Sequence, residues 1–180
     1  MIDTLIEEVV KREGGYSNHP DDRGGETNWG ITIAVARKHG YDGAMRSMPK
    51  SEAHAIYKRI YWLKPKLDQI YEIAPRIAAE MFDTGVNMGT ATAISFLQRA
   101  LNALNRQERD YQDLSVDRNI GPLTLRALRQ YMHKRANKGE IVLLRAIEAL
   151  QGARYISLAE KRRANAVSYT HLTLPTICSV

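Results

Sequence analysis

A chain of 180 residues, 44% hydrophobic, is long enough for one domain or for one domain with a closely packed extension. Its apolar runs all fall short of the roughly 18 residues a membrane span requires, so stable membrane insertion is not expected. The net charge of +6 favours an anionic partner, and the single cysteine, Cys178, excludes an intramolecular disulfide. The basic residues are scattered apart from Lys134, Arg135 and Lys138, and Lys161, Arg162 and Arg163. With no nucleic-acid motif beside them, these read as solvated helix faces and argue against a nucleic-acid partner. The histidines show no metal-ligand spacing and no phosphate-binding glycine loop is present, so neither a metal nor another cofactor is expected. No basic start followed by an apolar core opens the chain. The expectation is therefore synthesis in the cytoplasm without a Sec-type leader.

Ile2, Leu5, Ile6, Val9 and Val10 fall at helical spacing and predict a first helix with one buried face. Asp3 or Thr4 suits its N-cap, Thr4-Leu5-Ile6-Glu7 has the form of a capping box, and Gly14-Gly15 stop it. Glu13 is the last residue before the stop. There a carboxylate meets the free carbonyls at the negative end of the helix dipole, which disfavours its ionised form, and partial burial would act in the same direction. Those are the conditions of a general acid near neutral pH, although a glutamate at a helix end is ordinarily a solvated surface residue.

The polar stretch from Ser17 to Trp29, rich in Gly, Asp and Asn, is the one segment suited to a short β-hairpin. Thr32 then caps a short helix through Lys38, ended by Gly40. Ser51 caps another through about Tyr61, with Ala53, Ile56, Tyr57, Ile60 and Tyr61 as its apolar face, and Pro65 closes that region. Pro75 opens a helix running to about Met88, and Gly89 separates it from a further helix over Thr90 to Leu104. Arg106 to Gly121 is a long polar connection. Pro122 begins a helix to about Lys134, and Glu140 to Arg163 forms the last and longest one. The expected fold is mainly α, with a small β-hairpin near Glu13.

Glu13-Gly14-Gly15-Tyr16, Asn18, Pro20, Asp22, Gly24-Gly25, Thr27-Asn28 and Gly30-Ile31-Thr32 together form a long pattern that resembles the signature of glycoside hydrolase family 108. These are lysozyme-like muramidases found mostly in phages, prophages and bacterial secretion systems. The resemblance implies a lysozyme-like fold, in which a catalytic helix leads into a hairpin lining one cleft wall, and makes Glu13 the catalytic residue. His19 stands where the family commonly has an acid and Arg23 where it commonly has Pro, departures that touch the loop and not Glu13. Asp22 is the candidate second carboxylate, with Asp21 and Glu26 as alternatives. A looser similarity to the Glu…Asp…Thr arrangement of phage-type lysozymes makes Thr27 a candidate for orienting water, a role that competes with turn capping. Tyr16 and Trp29 are candidates for stacking on sugar faces, against hairpin packing on the core for Trp29.

In the second half, Asp83 to Gly89, Ala93 to Leu101 and Val116 to Thr124 resemble the predicted peptidoglycan-binding region that follows the hydrolase segment in this family. Asp117, Gly121, Pro122 and Thr124 recur in several wall-binding modules. They also have a purely structural reading, as a turn followed by a proline-initiated helix. Asp83 and Asn87, four apart on one helix, are candidate cleft residues, with helix packing an equal explanation. The expected organisation is a catalytic segment over residues 1–70, a helical peptidoglycan-binding region over 71–167 sharing its core, and a tail over 168–180. That tail, SYTHLTLPTICSV, has no charged side chain and resembles translated adapter sequence, so it reads as an addition in place of the native end.

The resulting expectation is a muramidase acting on the β-1,4 bond between N-acetylmuramic acid and N-acetylglucosamine of peptidoglycan glycan strands, in the role of a phage or prophage endolysin. A holin-type pore would release it to the cell wall or periplasm. The alternatives are a lytic transglycosylase, which leaves an anhydro-sugar, and a peptidoglycan-binding accessory protein without activity.

Overall fold

The computed structural model describes residues 2–18 and 25–161, apart from the side chain of Asn137. His19, Asp21, Asp22, Arg23 and the tail over 168–180 lie outside the described residues. Contacts divide the chain into two compact units, Met1–Val86 and Asn87–Val180.

The first unit opens with α1 (Ile2–Glu13), whose Ile6, Val9 and Val10 are buried. The helix starts before Asp3 and Thr4, so neither residue is its N-cap as the sequence suggests. Its acids bridge to the next long helix instead: Asp3 pairs with Lys58 at 3.1 Å and lies 3.6 Å from His54, and Glu7 pairs with Lys50 at 3.2 Å. The hairpin consists of β1 (Thr27–Asn28) and β2 (Ile31–Thr32), antiparallel, with Thr27 opposite Thr32 and Asn28 opposite Ile31. Ser17 adds an isolated bridge to Thr27, through N···O distances of 2.8 and 2.9 Å. The paired residues thus run to Thr32, past the expected limit at Trp29. Trp29 and Gly30 form the turn, both at positive φ (53° and 74°), the conformation that two-residue hairpin loops favour.

Helix α2 (Ile33–Lys38) follows at once, with the Thr32 hydroxyl accepting from the Val35 amide as its N-cap. After a 3₁₀ turn at Met45–Ser47, α3 (Lys50–Tyr57) starts behind Pro49, which puts Ser51 inside the helix and not at its cap. From Lys58 to Leu63 the helix widens into a π-helical segment. A π turn brings residues five apart onto one face. Tyr57 and Trp62 are accordingly both buried, while Ile60 and Tyr61, expected on that face, are half-buried. A short helix the sequence reading did not anticipate, α4 (Leu67–Tyr71), buries Leu67 and Ile70. Helix α5 (Pro75–Met88) buries Ile77, Ala78, Met81 and Phe82. Phe82 meets Trp62 edge-on at 6.3 Å between centroids, which ties most of α5 to the first unit. The sequence division at residues 70 and 71 therefore falls inside this compact unit.

The second unit is built from α6 (Thr90–Leu104) and α7 (Pro122–Lys161). Ala136 takes a non-helical conformation (φ 48°, ψ −149°), so α7 is two helices in succession, broken where the sequence analysis separates them. Gly139 makes the bend possible, since a Cβ there would stand 2.5 Å from Arg135 Cβ. The Tyr131 hydroxyl donates to the Gly139 carbonyl at 3.0 Å. Phe96, Leu97, Ala100 and Leu101 of α6 and Leu125, Leu128, Tyr131, Leu143 and Ile147 of α7 are buried. Among the described residues no helix is long and apolar enough to cross a membrane.

Candidate active site

Helix α1 delivers Glu13 to the turn of the hairpin. Gly14, at φ 81°, ends the helix as the sequence suggests. The Trp29–Gly30 turn lies flush against the stem of Glu13: a Cβ on Gly30 would stand 2.9 Å from Glu13 Cβ, 3.0 Å from its Cγ and 2.6 Å from the Tyr57 hydroxyl. That hydroxyl donates to the Trp29 carbonyl at 3.2 Å, fastening the turn to α3. The rings of Tyr57 and Tyr61 stack at 5.5 Å with 28° between their planes. Burial, and after it the nearby Glu13 carboxylate, push both phenols above their ordinary pKa, Tyr57 further than Tyr61. Both therefore remain neutral hydroxyls around neutral pH. Glu13 itself is exposed, so the partial burial expected of it is not observed. What sets it apart from a solvated helix-end acid is its company: a glycine turn against its stem and two protonated phenols beside it.

Around this centre the other candidates divide. Asp83, on α5, lies 3.8 Å from the guanidinium of Arg12, the residue preceding Glu13, so it belongs to the flank of the same region. Asn87 is on the last turn of α5, exposed, and belongs to the second unit. The Tyr16 hydroxyl donates to Glu26 Oε1 at 2.8 Å, and Arg46 sits 5.0 Å over its ring. The hydrogen bond to Glu26 raises the Tyr16 pKa and makes Glu26 a partner of Tyr16 within the hairpin. The Thr27 hydroxyl donates to the Gly25 carbonyl at 3.4 Å, a turn-capping contact. The Trp29 indole donates to the Met48 carbonyl at 3.0 Å, which favours hairpin packing for this residue.

Asn28 is a hairpin residue to which the sequence analysis assigns no role. It is buried, and its amide nitrogen donates to the Met45 carbonyl at 2.7 Å, while its Oδ1 has no hydrogen-bond partner among the described residues. Tyr57 and Tyr61 are read in the sequence only as apolar-face residues. Their spacing of four was the available signal, because it puts two phenols on one side of a helix.

In the second unit a stripe of amides organises the long polar connection. Gln98 is buried; its nitrogen donates to Asp117 Oδ1 (2.7 Å) and the Asn119 carbonyl (3.0 Å) and lies 3.3 Å from the Thr124 hydroxyl. Its oxygen accepts from the Arg118 amide at 3.0 Å. One turn on, Asn102 makes two bonds of 2.8 Å with the backbone of Leu114, and Asn105 holds Asp113 and the Glu108 amide. Asp117 and Thr124 thus serve the loop and the helix start, the structural reading of that motif.

Residues 6–89 match the family model described as glycosyl hydrolase 108. The segment that carries Glu13 is thus similar to the glycosyl hydrolase 108 family. Residues 92–169 match a second model, described as a predicted peptidoglycan domain. Among solved structures, SagA of Brucella abortus is 26% identical, with a TM-score of 0.56 over 94% of this chain and 95% of that one. No protein of curated function matches the chain. The mainly α, lysozyme-like fold with its small hairpin is thus that of a glycoside hydrolase acting on peptidoglycan, its first unit carrying the hydrolase segment and its second the peptidoglycan domain.

Proposed function

We propose that this hydrolase is an N-acetylmuramidase that cleaves the β-1,4 bond between N-acetylmuramic acid and N-acetylglucosamine, with Glu13 as its general acid. The observation that carries the reading is the seat of Glu13, pressed against the Gly30 turn and flanked by Tyr57 and Tyr61 within the segment that matches the hydrolase family. Glu13 would protonate the leaving glycosidic oxygen as the sugar ring gains oxocarbenium character. Asp22 is the proposed second carboxylate, positioning water or stabilising the developing charge, and Thr27 the residue that orients the water. Tyr16, Trp29, Asp83 and Asn87 are proposed sugar contacts. For Trp29 and Tyr16 the role falls to the ring faces, since their polar atoms are engaged with Met48 and Glu26. The proposed setting is a phage or prophage endolysin, released by a holin-type pore, with no nucleic-acid partner.

Muropeptide mass spectrometry on purified peptidoglycan tests the reaction. Reducing muramic-acid ends produced by the wild type and absent with folded Glu13→Gln support it. Anhydro-sugar products, one water lighter, would replace hydrolysis by transglycosylation. Binding without release by the wild type would leave an inactive wall-binding protein.

A further inference from the structure

The second unit contains a cavity of about 420 Å³ whose lining includes Thr92, Ser95, Phe96 and Arg99 of α6, Arg118 of the polar connection and Arg154 of α7. A volume of that size suits a small ligand or a few residues of a polymer. Its lining includes three arginines, all of them exposed, and no acidic residue, and among the described residues none of the three arginines has an acidic partner. Three like charges bordering one space repel each other, and an oxyanion bound among them relieves that repulsion. Guanidinium groups also match carboxylates with paired, parallel hydrogen bonds.

The site is held ready by the loop that supplies Arg118. Its backbone amide is fixed by Gln98 Oε1 at 3.0 Å, and its neighbours are pinned by the Asp117–Gln98 and Asp117–Asn119 hydrogen bonds of 2.7 and 2.9 Å. Arg118 sits at φ 64°, a left-handed conformation that a non-glycine residue adopts only when its surroundings impose it. Arg99 and Arg154 project from helices. The Ser95 hydroxyl donates to the Thr92 carbonyl at 2.8 Å, which leaves its oxygen free to accept from a ligand N–H. The cavity therefore offers cationic donors for a carboxylate, an acceptor for an amide and an aromatic wall in Phe96. A peptide with a free carboxylate has all the matching groups, whereas a polyol phosphate lacks the amide.

Resting on the reading of this unit as a peptidoglycan domain, we propose that the Arg99–Arg118–Arg154 cavity binds the carboxylate-bearing peptide stem of peptidoglycan, and so holds the enzyme on stem-substituted glycan. The test is binding of the full chain, carrying Glu13→Gln to keep the polymer intact, to sacculi stripped of teichoic acid. Arg99→Gln with Arg154→Gln should weaken binding at least about tenfold, and Arg118→Gln alone should weaken it in the same direction. Arg129→Gln with Arg145→Gln, an exposed pair outside the cavity with the same change in charge, should change it less than about twofold. Converting the stem carboxylates to amides should weaken the unsubstituted chain as much as the cavity pair does, with no further loss in the cavity variant. Equal weakening by both arginine pairs would make the effect one of overall charge and overturn the proposal. So would undiminished binding to amidated sacculi, or preference for teichoic acid over stripped sacculi. If the unsubstituted chain fails to bind sacculi at all, the peptidoglycan reading of the unit falls with it. If it binds and the cavity variants bind equally well, only the cavity assignment falls.

Discussion

Gly30 and Glu13 are packed so closely that a single methyl group at position 30 would stand 2.9 Å from Glu13 Cβ, nearer than two such carbons can come. The obstacle is the base of a side chain, whose only escape is movement of α1 or of the hairpin. Gly30 also sits at φ 74°, where an L-residue is strained. Gly30→Ala should therefore cost about 1–2 kcal/mol for the backbone and about 1–3 kcal/mol for the overlap. Calorimetry should show the lower melting temperature, and wall-lysis assays well below that temperature should show a loss of rate that unfolding does not explain. Normal activity in a destabilised Gly30→Ala protein would mean that the turn does not set the position of Glu13.

Glu13 provides the complementary case, because an exposed acid at a helix C-terminus contributes little to stability. Replacing it by Gln removes a negative charge from the negative end of the α1 dipole, which should leave stability unchanged or raise it by a few tenths of a kcal/mol. The hydrolysis rate should nevertheless fall by about 10²- to 10⁴-fold, the usual contribution of a general acid. Glu13→Asp, with its carboxyl one methylene short of the same place, should also be severely impaired. Wild-type turnover by folded Glu13→Gln, measured by release of reducing ends, would sink the assignment.

Much of this arrangement is legible in the sequence where glycine, proline or a capping hydroxyl dictates a boundary. Gly14, Thr32, Pro75, Gly89 and Pro122 each mark an end that the fold respects. The break in α7 also lies where its helical pattern lapses. The sequence is silent where tertiary packing overrides local preference. Nothing in Lys58–Leu63 announces a π-helical segment; burial of Trp62 against Phe82, five residues beyond Tyr57, goes with the wider turn. The exposure of Glu13 follows the ordinary expectation for a helix-end acid, whereas the phenols that stand beside it depend on packing that the local sequence does not show. The amides Gln98, Asn102 and Asn105 recur at helical spacing, yet their meaning appears only with the loop they hold.

Tyr57 joins both sides of the site, since its hydroxyl donates to the Trp29 carbonyl while its ring stacks on Tyr61. Tyr57→Phe keeps the ring and removes the hydrogen bond, at an expected cost of about 0.5–1.5 kcal/mol. Because the lost bond anchors the turn that seats Glu13, the variant should lose activity by more than its stability accounts for. Tyr61→Phe, which leaves that bond in place, should be close to wild type in stability. Equal stability losses in the two variants, read by chemical denaturation, would show that the Trp29 bond does not distinguish them.

Acid should unfold the second unit partly through Asp117. The hydrogen bond from Gln98, with that from the Asn119 amide, holds its carboxyl below the ordinary aspartate pKa in the folded chain. A carboxyl with a depressed folded pKa stabilises the protein above its unfolded value, about 3.9. That stabilisation is lost as pH falls through the lower folded value. Asp117→Asn keeps an oxygen able to accept both bonds but has no proton to gain. Its melting temperature should lie below the wild type's near neutral pH, because a carboxylate is the stronger acceptor. The difference should shrink as pH falls below about 4. Asp3 and Asp110, depressed chiefly by Lys58 and Arg106, titrate in the same direction, so the variant should retain part of the acid sensitivity. Calorimetry across an acid pH series reads the difference directly. Melting curves that stay parallel at every pH would remove Asp117 from the acid response and leave it to Asp3, Asp110 and the remaining carboxylates.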